Sequence, residues 1–428
     1  MGVTVLALSF VVLLLLRVPI AFAMGLSSLA YVYFFMPASV PLTIIPQLMA
    51  SEASSFPLLA IPFFVLVGEL MNASGISDRL VRLAQVLVGH LRGGMGMVAI
   101  VSSASMSSFS GSSVANSVGT GSITIPAMKK QGYPPAAAAA IESSSSSLGT
   151  VIPPSISMVV YGSLTGVSIG GLFVAGYVPG LLSVLGLALV VRWMATRYQV
   201  PVHQRESLSV VGTALLQALS ALAIPVIIIG GILLGFMTPT EAGAVGASYT
   251  LVVAGIFLRS LSWSGLYHAL RRTAVTTGVI LSVIATAAVL GYIMTYERIP
   301  RTAADALLGN LESEWAIMLV LVALLIVIGS FMETNAAIAI IAPIIVGITS
   351  SSDLDPLFVG VIVVAALALG VATPPVGVCL FVTAKLARTT IEKVSVAVLP
   401  LVGVLIAVVV ILALLPDVVL FLPRLLGY

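Results

Sequence analysis

Ser107-Ser108-Phe109-Ser110-Gly111-Ser112-Ser113 is a polar knot set inside an apolar stretch, and Gly329-Ser330-Phe331-Met332-Glu333-Thr334-Asn335 is a second one. Each knot lies between two apolar arms of about 13–16 residues, in regions 94–128 and 315–349. At 1.5 Å per residue such an arm reaches about 20–24 Å, past the midplane of a ~30 Å hydrocarbon core and short of its far side. The flanks differ in sign. Arg92 and Lys129-Lys130 bound the first region, whereas Glu312, Glu314, Asp353 and Asp355 bound the second. Lys and Arg favour the cytoplasmic side of a membrane. The two regions therefore read as re-entrant hairpins entering from opposite faces. The alternative for each is an ordinary helix pair with a polar loop outside the membrane.

The composition demands a membrane. Of 428 residues, 60% are hydrophobic and 8% charged, against about 25% charged in a soluble domain. So little charge could not cover a soluble surface, which excludes a cytosolic enzyme. The net charge of +3 leaves no nucleic-acid footprint. Cys379 is the single cysteine, so neither an intrachain disulfide nor a cysteine metal cluster is possible. His90, His203 and His268 fall in short polar connections, and no HExxH occurs. No cleavable leader precedes the first apolar run, which is expected to stay in the mature protein.

Apolar runs place spans near 2–16, 18–36, 56–73, 135–163, 172–195, 219–237, 240–258, 275–295, 356–384 and 395–415. With both termini outside, the cytoplasmic connections hold Arg17, Arg79, Arg82, Arg92, Lys129, Lys130, Arg192, Arg197, Arg205, Arg259, Arg271, Arg272, Lys385, Arg388 and Lys393. Of the 18 basic residues only Arg298, Arg301 and Arg424 are left outside, which sets the expected orientation. The stretches 78–91, 206–218 and 262–272 read as amphipathic helices on the inner face, and 299–312 as an outer counterpart.

An internal repeat emerges from the prolines. Pro153-Pro154 follows the tip at Ser110, and Pro374-Pro375 follows the tip at Ser330 at nearly the same spacing. Each hairpin also carries a proline in its second arm, Pro126 and Pro343. Hairpins from opposite faces make the repeats inverted, the layout of secondary transporters with a site near the midplane.

Each Pro-Pro pair removes helix hydrogen bonds in mid-span. Such backbone is tolerated in a membrane only inside protein or beside water. The freed carbonyls near Gly149–Pro154 and Gly370–Val376, with the Ser and Thr hydroxyls of the tips, are hard neutral donors suited to Na⁺. Half-helix N-termini can hold a carboxylate. The bland reading of the small residues is close helix packing, which suits the run Ser143–Ser147 best. Four carboxylates fall in spans or hairpins, and such groups are functional candidates by default. Glu241 follows Thr238-Pro239-Thr240 in a capping-box pattern. Glu69 and Glu142 are placed near the inner ends of their spans, able to reach the interface. Glu333, in the second tip, is the candidate for coupling or gating.

These residues resemble the large membrane subunit of a tripartite ATP-independent periplasmic (TRAP) transporter. The likeness lies in Phe109-Ser-Gly-Ser-Ser-Val-Ala-Asn116, Gly121-Ser-Ile-Thr-Ile-Pro-Ala-Met-Lys-Lys-Gln-Gly-Tyr133, Ile152-Pro-Pro-Ser-Ile156, Thr238-Pro-Thr-Glu-Ala-Gly243, Phe331-Met-Glu-Thr-Asn-Ala-Ala337 and Thr373-Pro-Pro-Val-Gly377. It covers nearly the whole chain. The resemblance implies an elevator-type carrier of the ion transporter superfamily in a bacterial inner membrane. It implies Na⁺-driven uptake of an organic acid, commonly a C4-dicarboxylate or a sugar acid. A periplasmic substrate-binding protein and a small four-helix membrane subunit would be its partners. By similarity, one Na⁺ site would use Ser110 and Ser112 with backbone oxygens around Gly149, Ile152 and Pro154. A second would use Gly329, Gly370, Thr373 and Val376. Substrate contacts would fall near Ser112 and Ser157, with Ser330 as a further position. Sialic-acid members resemble one another in having Asp where this chain has Ser330, so sialic acid is disfavoured as the substrate.

The expected fold is thus all-α and polytopic, with inverted repeats each carrying a re-entrant hairpin and a discontinuous helix. The expected divisions are scaffold spans 1–73, a first repeat 74–200 with broken helix 135–163, middle scaffold 201–274, and a second repeat 275–428 with broken helix 356–384. The moving part would hold both hairpins and both broken helices. The fixed part would hold 1–73 and the middle spans 219–295. A stand-alone Na⁺/carboxylate symporter of the same superfamily is the alternative. A channel is disfavoured by two closed hairpins. An intramembrane enzyme is disfavoured because the Ser-rich tip has no His or Lys beside it and no GxSxG occurs.

Overall fold

The computed structural model describes residues 2–37, 40–202, 204–308 and 313–428, and contains helices and no strand among them. Among the described residues seven helices are long and apolar enough to cross a membrane. Glu312, one of the flanking carboxylates, and His203 lie outside the described residues.

Both polar knots are tips of helical hairpins. In the first, Met95–Ser110 ends at Gly111 with φ +56°, and the chain returns through Ser113–Gly119 and Gly121–Lys130. In the second, Glu314–Phe331 ends at Met332 and returns as Thr334–Ser350. The arms run 16 to 18 residues, longer than the sequence suggested, or about 24–27 Å at 1.5 Å per residue. Pro126 and Pro343 are tolerated inside the returning arms.

Both Pro-Pro pairs break a helix. Pro135–Ser146 and a 3₁₀ turn, Ser147–Thr150, lead into the first break, and the chain resumes as Ile156–Thr165 with Ser155 as N-cap. Pro356–Gly370 leads into the second, and Val378–Ala387 follows Gly377, whose φ is +44°. Both Pro-Pro peptide bonds are cis.

Two sequence expectations fail for one reason. The stretches 206–218 and 262–272 are not separate surface helices. Each is the first part of a long helix, Leu208–Leu233 and Trp263–Tyr296. Neither Gly nor Pro stands at 218–219 or at 272–275, so nothing stops the helical hydrogen bonds from continuing. The second of these, 34 residues long, also crosses the expected division between residues 274 and 275. By contrast Ile76–Val88 is a separate amphipathic helix, and Ile299–Leu308 is the described part of the outer one. Ile44–Ala53 and Pro416–Leu425, which fall outside the expected spans and amphipathic stretches, are also helical. Prolines disguised them: Pro46 sits in the first turn of one, and Pro416 is the first residue of the other.

Around the hairpins, Trp263–Tyr296 packs against Ala60–Ala73, Ile20–Phe35 and Thr334–Ser350. Within the second half, a Cβ on Gly370 would collide with the carbonyl carbon of Gly329. Hairpin and broken helix touch backbone to backbone there. Gly370→Ala should therefore destabilise by about 1–3 kcal/mol or more. Gly403→Ala, in Ile391–Ala413 with open space around the added methyl, should leave stability unchanged or slightly raised. Thermal unfolding of the purified protein in detergent compares the two.

Candidate functional site

The two tips and the two breaks converge on one cavity of about 400 Å³. Gly111, Ser112, Ser113 and Val114 come from the first tip, and Glu333, Thr334, Asn335 and Ala336 from the second. Thr150 and Ile156 flank the first break, while Val371 and Val378 flank the second. The opposite wall is a face of Trp263–Tyr296 carrying Val275, Val279, Ile280 and Val283, joined by Pro19, Ile20 and Ala21.

The first tip is seated on the first break. A Cβ on Gly111 would lie 2.9 Å from the Ile156 nitrogen and 3.3 Å from the Pro154 oxygen. One on Gly149 would lie 3.0 Å from the Ser112 carbonyl carbon. Ser112 caps the returning arm by accepting from the Ala115 amide at 3.4 Å. The second tip is held from within. Glu333 is the N-cap of Thr334–Ser350 and accepts from the amides of Asn335 and Ala336 at 2.9 and 3.1 Å and from Asn335 Nδ2 at 2.8 Å. The halves are then joined to each other: Ser157 Oγ donates to Asn335 Oδ1 at 2.9 Å, across 178 residues of sequence.

The pattern of the family described as "Tripartite ATP-independent periplasmic transporter, DctM component" matches residues 7–418. The chain belongs to this family. It is 40% identical over 414 residues to the isethionate TRAP transporter permease protein DctMQ of Oleidesulfovibrio alaskensis, covering 96% of this chain and 65% of that longer protein. It is 38% identical over 405 residues to the C4-dicarboxylate TRAP transporter large permease protein DctM of Pseudomonas aeruginosa, covering 95% and 94%. The solved YdaH transporter of Alcanivorax borkumensis shares the fold, with TM-score 0.63 at 17% identity over 96% of this chain and 97% of that one. The protein is thus a TRAP large permease, a multi-pass inner-membrane protein and not an enzyme.

The positions singled out from sequence in this TRAP permease fall at different places. Ser112 lines the cavity, and Ser110 lines a neighbouring one together with Ser112. At the first break Gly149 packs on Ser112 and the Pro154 carbonyl lies beside Gly111, with Ile152 in the same bend; at the second, Gly370 packs on Gly329, with Thr373 and Val376 in the turn that follows. Among the described residues, no donor meets the carbonyls of Ile152, Pro154, Thr373 or Val376. Thr373 Oγ1 donates to the Leu369 carbonyl at 2.6 Å, which keeps its oxygen free to accept. These are the neutral oxygens a small hard cation would require. Among the described residues no group of three or more His, Cys, Asp or Glu side chains could hold a metal ion.

Ser157 and Ser330 are off the wall. Ser157 is wholly buried against Asn335, and the Ser330 hydroxyl donates back to the Ile326 carbonyl at 2.7 Å. Asn335 and Thr334 were missed as site residues, although both stand in the second knot. The Thr334 hydroxyl is buried and has no hydrogen-bond partner among the described residues.

The intramembrane carboxylates sort clearly. Glu241 forms the capping box with Thr238, whose amide donates to Glu241 Oε2 at 2.8 Å. Glu69 keeps 17% of its side chain exposed and pairs with Arg272. Glu142 does not reach an interface and is fully buried. The hydroxyls of Thr120 and Thr124 each donate to one of its oxygens, and those of Ser103 and Ser146 approach one of them at 3.3 Å. Its helix is covered by the first hairpin, by Val378–Ala387 and by Ile391–Ala413, which is why sequence position misplaces it.

The Ser157–Asn335 bond lends itself to a double-mutant cycle. Ser157→Ala and Asn335→Ala should each lower the unfolding temperature. Their combination should cost less than the sum by about 0.5–1.5 kcal/mol. Additive losses would mean that the two halves are not joined through this bond.

Proposed function

We propose that this permease carries out Na⁺-coupled uptake of a small organic acid of the C4-dicarboxylate or sugar-acid class. A periplasmic binding protein delivers the acid, and a small four-helix membrane subunit completes the scaffold. The observation that carries the reading is the convergence of both tips and both breaks on a single cavity. Its volume is in the range of small-molecule sites. Five of the described helices have their first residue on its wall, Ile20, Ser113, Ile156, Thr334 and Val378, and helix N-termini favour anions. Free carbonyls and hydroxyls lie just behind, where Na⁺ ions bound at the two breaks would fix the tips that line the substrate site. Glu333 holds the second tip in shape and so links its geometry to whatever binds beside it. The names of relatives point the same way, since isethionate and C4-dicarboxylates are small organic anions.

The smooth valine and isoleucine face opposite the tips favours transport by elevator-type alternating access. The hairpins and broken helices would travel together past residues 1–73 and the long middle helices. Both termini would lie on the periplasmic side.

Uptake of labelled organic acids into proteoliposomes tests the reading, with the chain alone and with both partners, and with and without an inward Na⁺ gradient. Uptake is expected only with all three components and Na⁺. Uptake by the chain alone would make it a stand-alone symporter. Ser112→Ala and Thr373→Ala each remove a ligand worth about 0.5–1.5 kcal/mol. Each should raise the half-saturating Na⁺ concentration roughly twofold to twelvefold. Unchanged Na⁺ dependence would remove these residues from the ion sites.

A further inference from the structure

A second cavity, of about 260 Å³, adjoins the central one on the side of Trp263–Tyr296 nearer Trp263. The two share Ser112, Val114 and Thr276 on their walls. Their chemistry differs. The central cavity has no Lys or Arg among its lining residues, whereas the second is lined by Glu69, Asn72 and Arg272. Arg272 stands four residues before Thr276, one turn along the same helix face. A solute moving along that face from Val279 past Thr276 meets the guanidinium next.

The pair that holds Arg272 is loose. Its Nη1 is 3.7 Å from Glu69 Oε2, and its side chain is 68% exposed. Ion pairs of this kind contribute little. A guanidinium also presents five donors in a fork that matches a carboxylate, far more than one oxygen at that distance uses. We infer that the second cavity is an anion exit station. The acid group of the substrate, on leaving the central cavity, takes the place of Glu69 on Arg272. Glu69 is the built-in competitor that later reclaims the guanidinium and releases the substrate. This inference rests on the transport reading above. It assigns to Arg272 a contact with substrate, and to Glu69 the role of setting how long that contact lasts.

The test uses the three-component complex in proteoliposomes, with a labelled acid that the wild type takes up. Arg272→Gln should lower maximal uptake at least tenfold with the half-saturating Na⁺ concentration unchanged, and Arg272→Lys should restore part of it. Glu69→Gln should lower KM and maximal rate together, because nothing displaces the bound anion. The charge exchange Glu69→Arg with Arg272→Glu should stay inactive. Recovery of uptake in the exchanged variant would reduce the pair to a brace between two helices and overturn the inference. So would KM and maximal rate within twofold of wild type in both Arg272→Gln and Glu69→Gln. Thermal unfolding of each variant separates loss of fold from loss of transport. Absence of Na⁺-driven uptake of any acid by the wild-type complex overturns the transport reading, and this one with it.

Discussion

A peptide group in the middle of a bilayer must find its partner inside the protein, and among the described residues two hairpin tips and two Pro-Pro breaks interrupt apolar helices around one cavity. Everything around the interruptions answers to that constraint. The tips are covered by the breaks, and the breaks by the tips. The long apolar helices enclose both. Three of the four restarting helices meet a side-chain cap: Ser112, Ser155 and Glu333 accept from the first amides of the helices they precede, whereas Val378–Ala387 starts after Gly377 with none. The carbonyl side is less completely answered, and the unanswered oxygens are those of the two breaks.

The two halves meet the same demand by different means. In the first, side chains do it. Asn116 Nδ2 donates to the Ser103 carbonyl at 3.0 Å and ties the two arms of the hairpin together, while the hydroxyls of Ser103, Thr120 and Thr124 reach Glu142 and sew the hairpin to the broken helix. In the second, absence of side chains does it. Gly329 and Gly370 let two backbones touch, and dispersion between closely packed atoms replaces the hydroxyl network. A chain that repeats a topology is therefore not obliged to repeat its chemistry.

Much of this could be read from the sequence, because the informative residues are the ones that spoil a hydropathy pattern. The knots around Ser110 and Ser330 and the pairs Pro153-Pro154 and Pro374-Pro375 stand out against valine and leucine. Glu241 could be assigned to capping because its partners are three residues away. What was illegible depends on distance. Ser157 and Asn335 meet across the whole fold. Glu142 is deep because of helices far along the chain that cover it. Val275, Val279, Ile280 and Val283 look like any lipid-facing row until the tips are placed against them. Helix continuity at 218 and 272 was missed because a change of polarity was read as a change of element. Polarity follows the environment of a helix, whereas its ends follow caps and breakers.

The hydroxyl network around Glu142 has a mechanical consequence. Inside a membrane the hydrophobic effect gives two helices little reason to stay together, since lipid is as oily as protein. Directional bonds supply the adhesion instead. They are dense where the first hairpin meets its broken helix and sparse on the valine and isoleucine wall across the cavity. The result is a body held together by directional bonds and facing a wall of methyl groups. On the proposed elevator reading, movement along that wall would exchange one set of methyl contacts for another and break few hydrogen bonds.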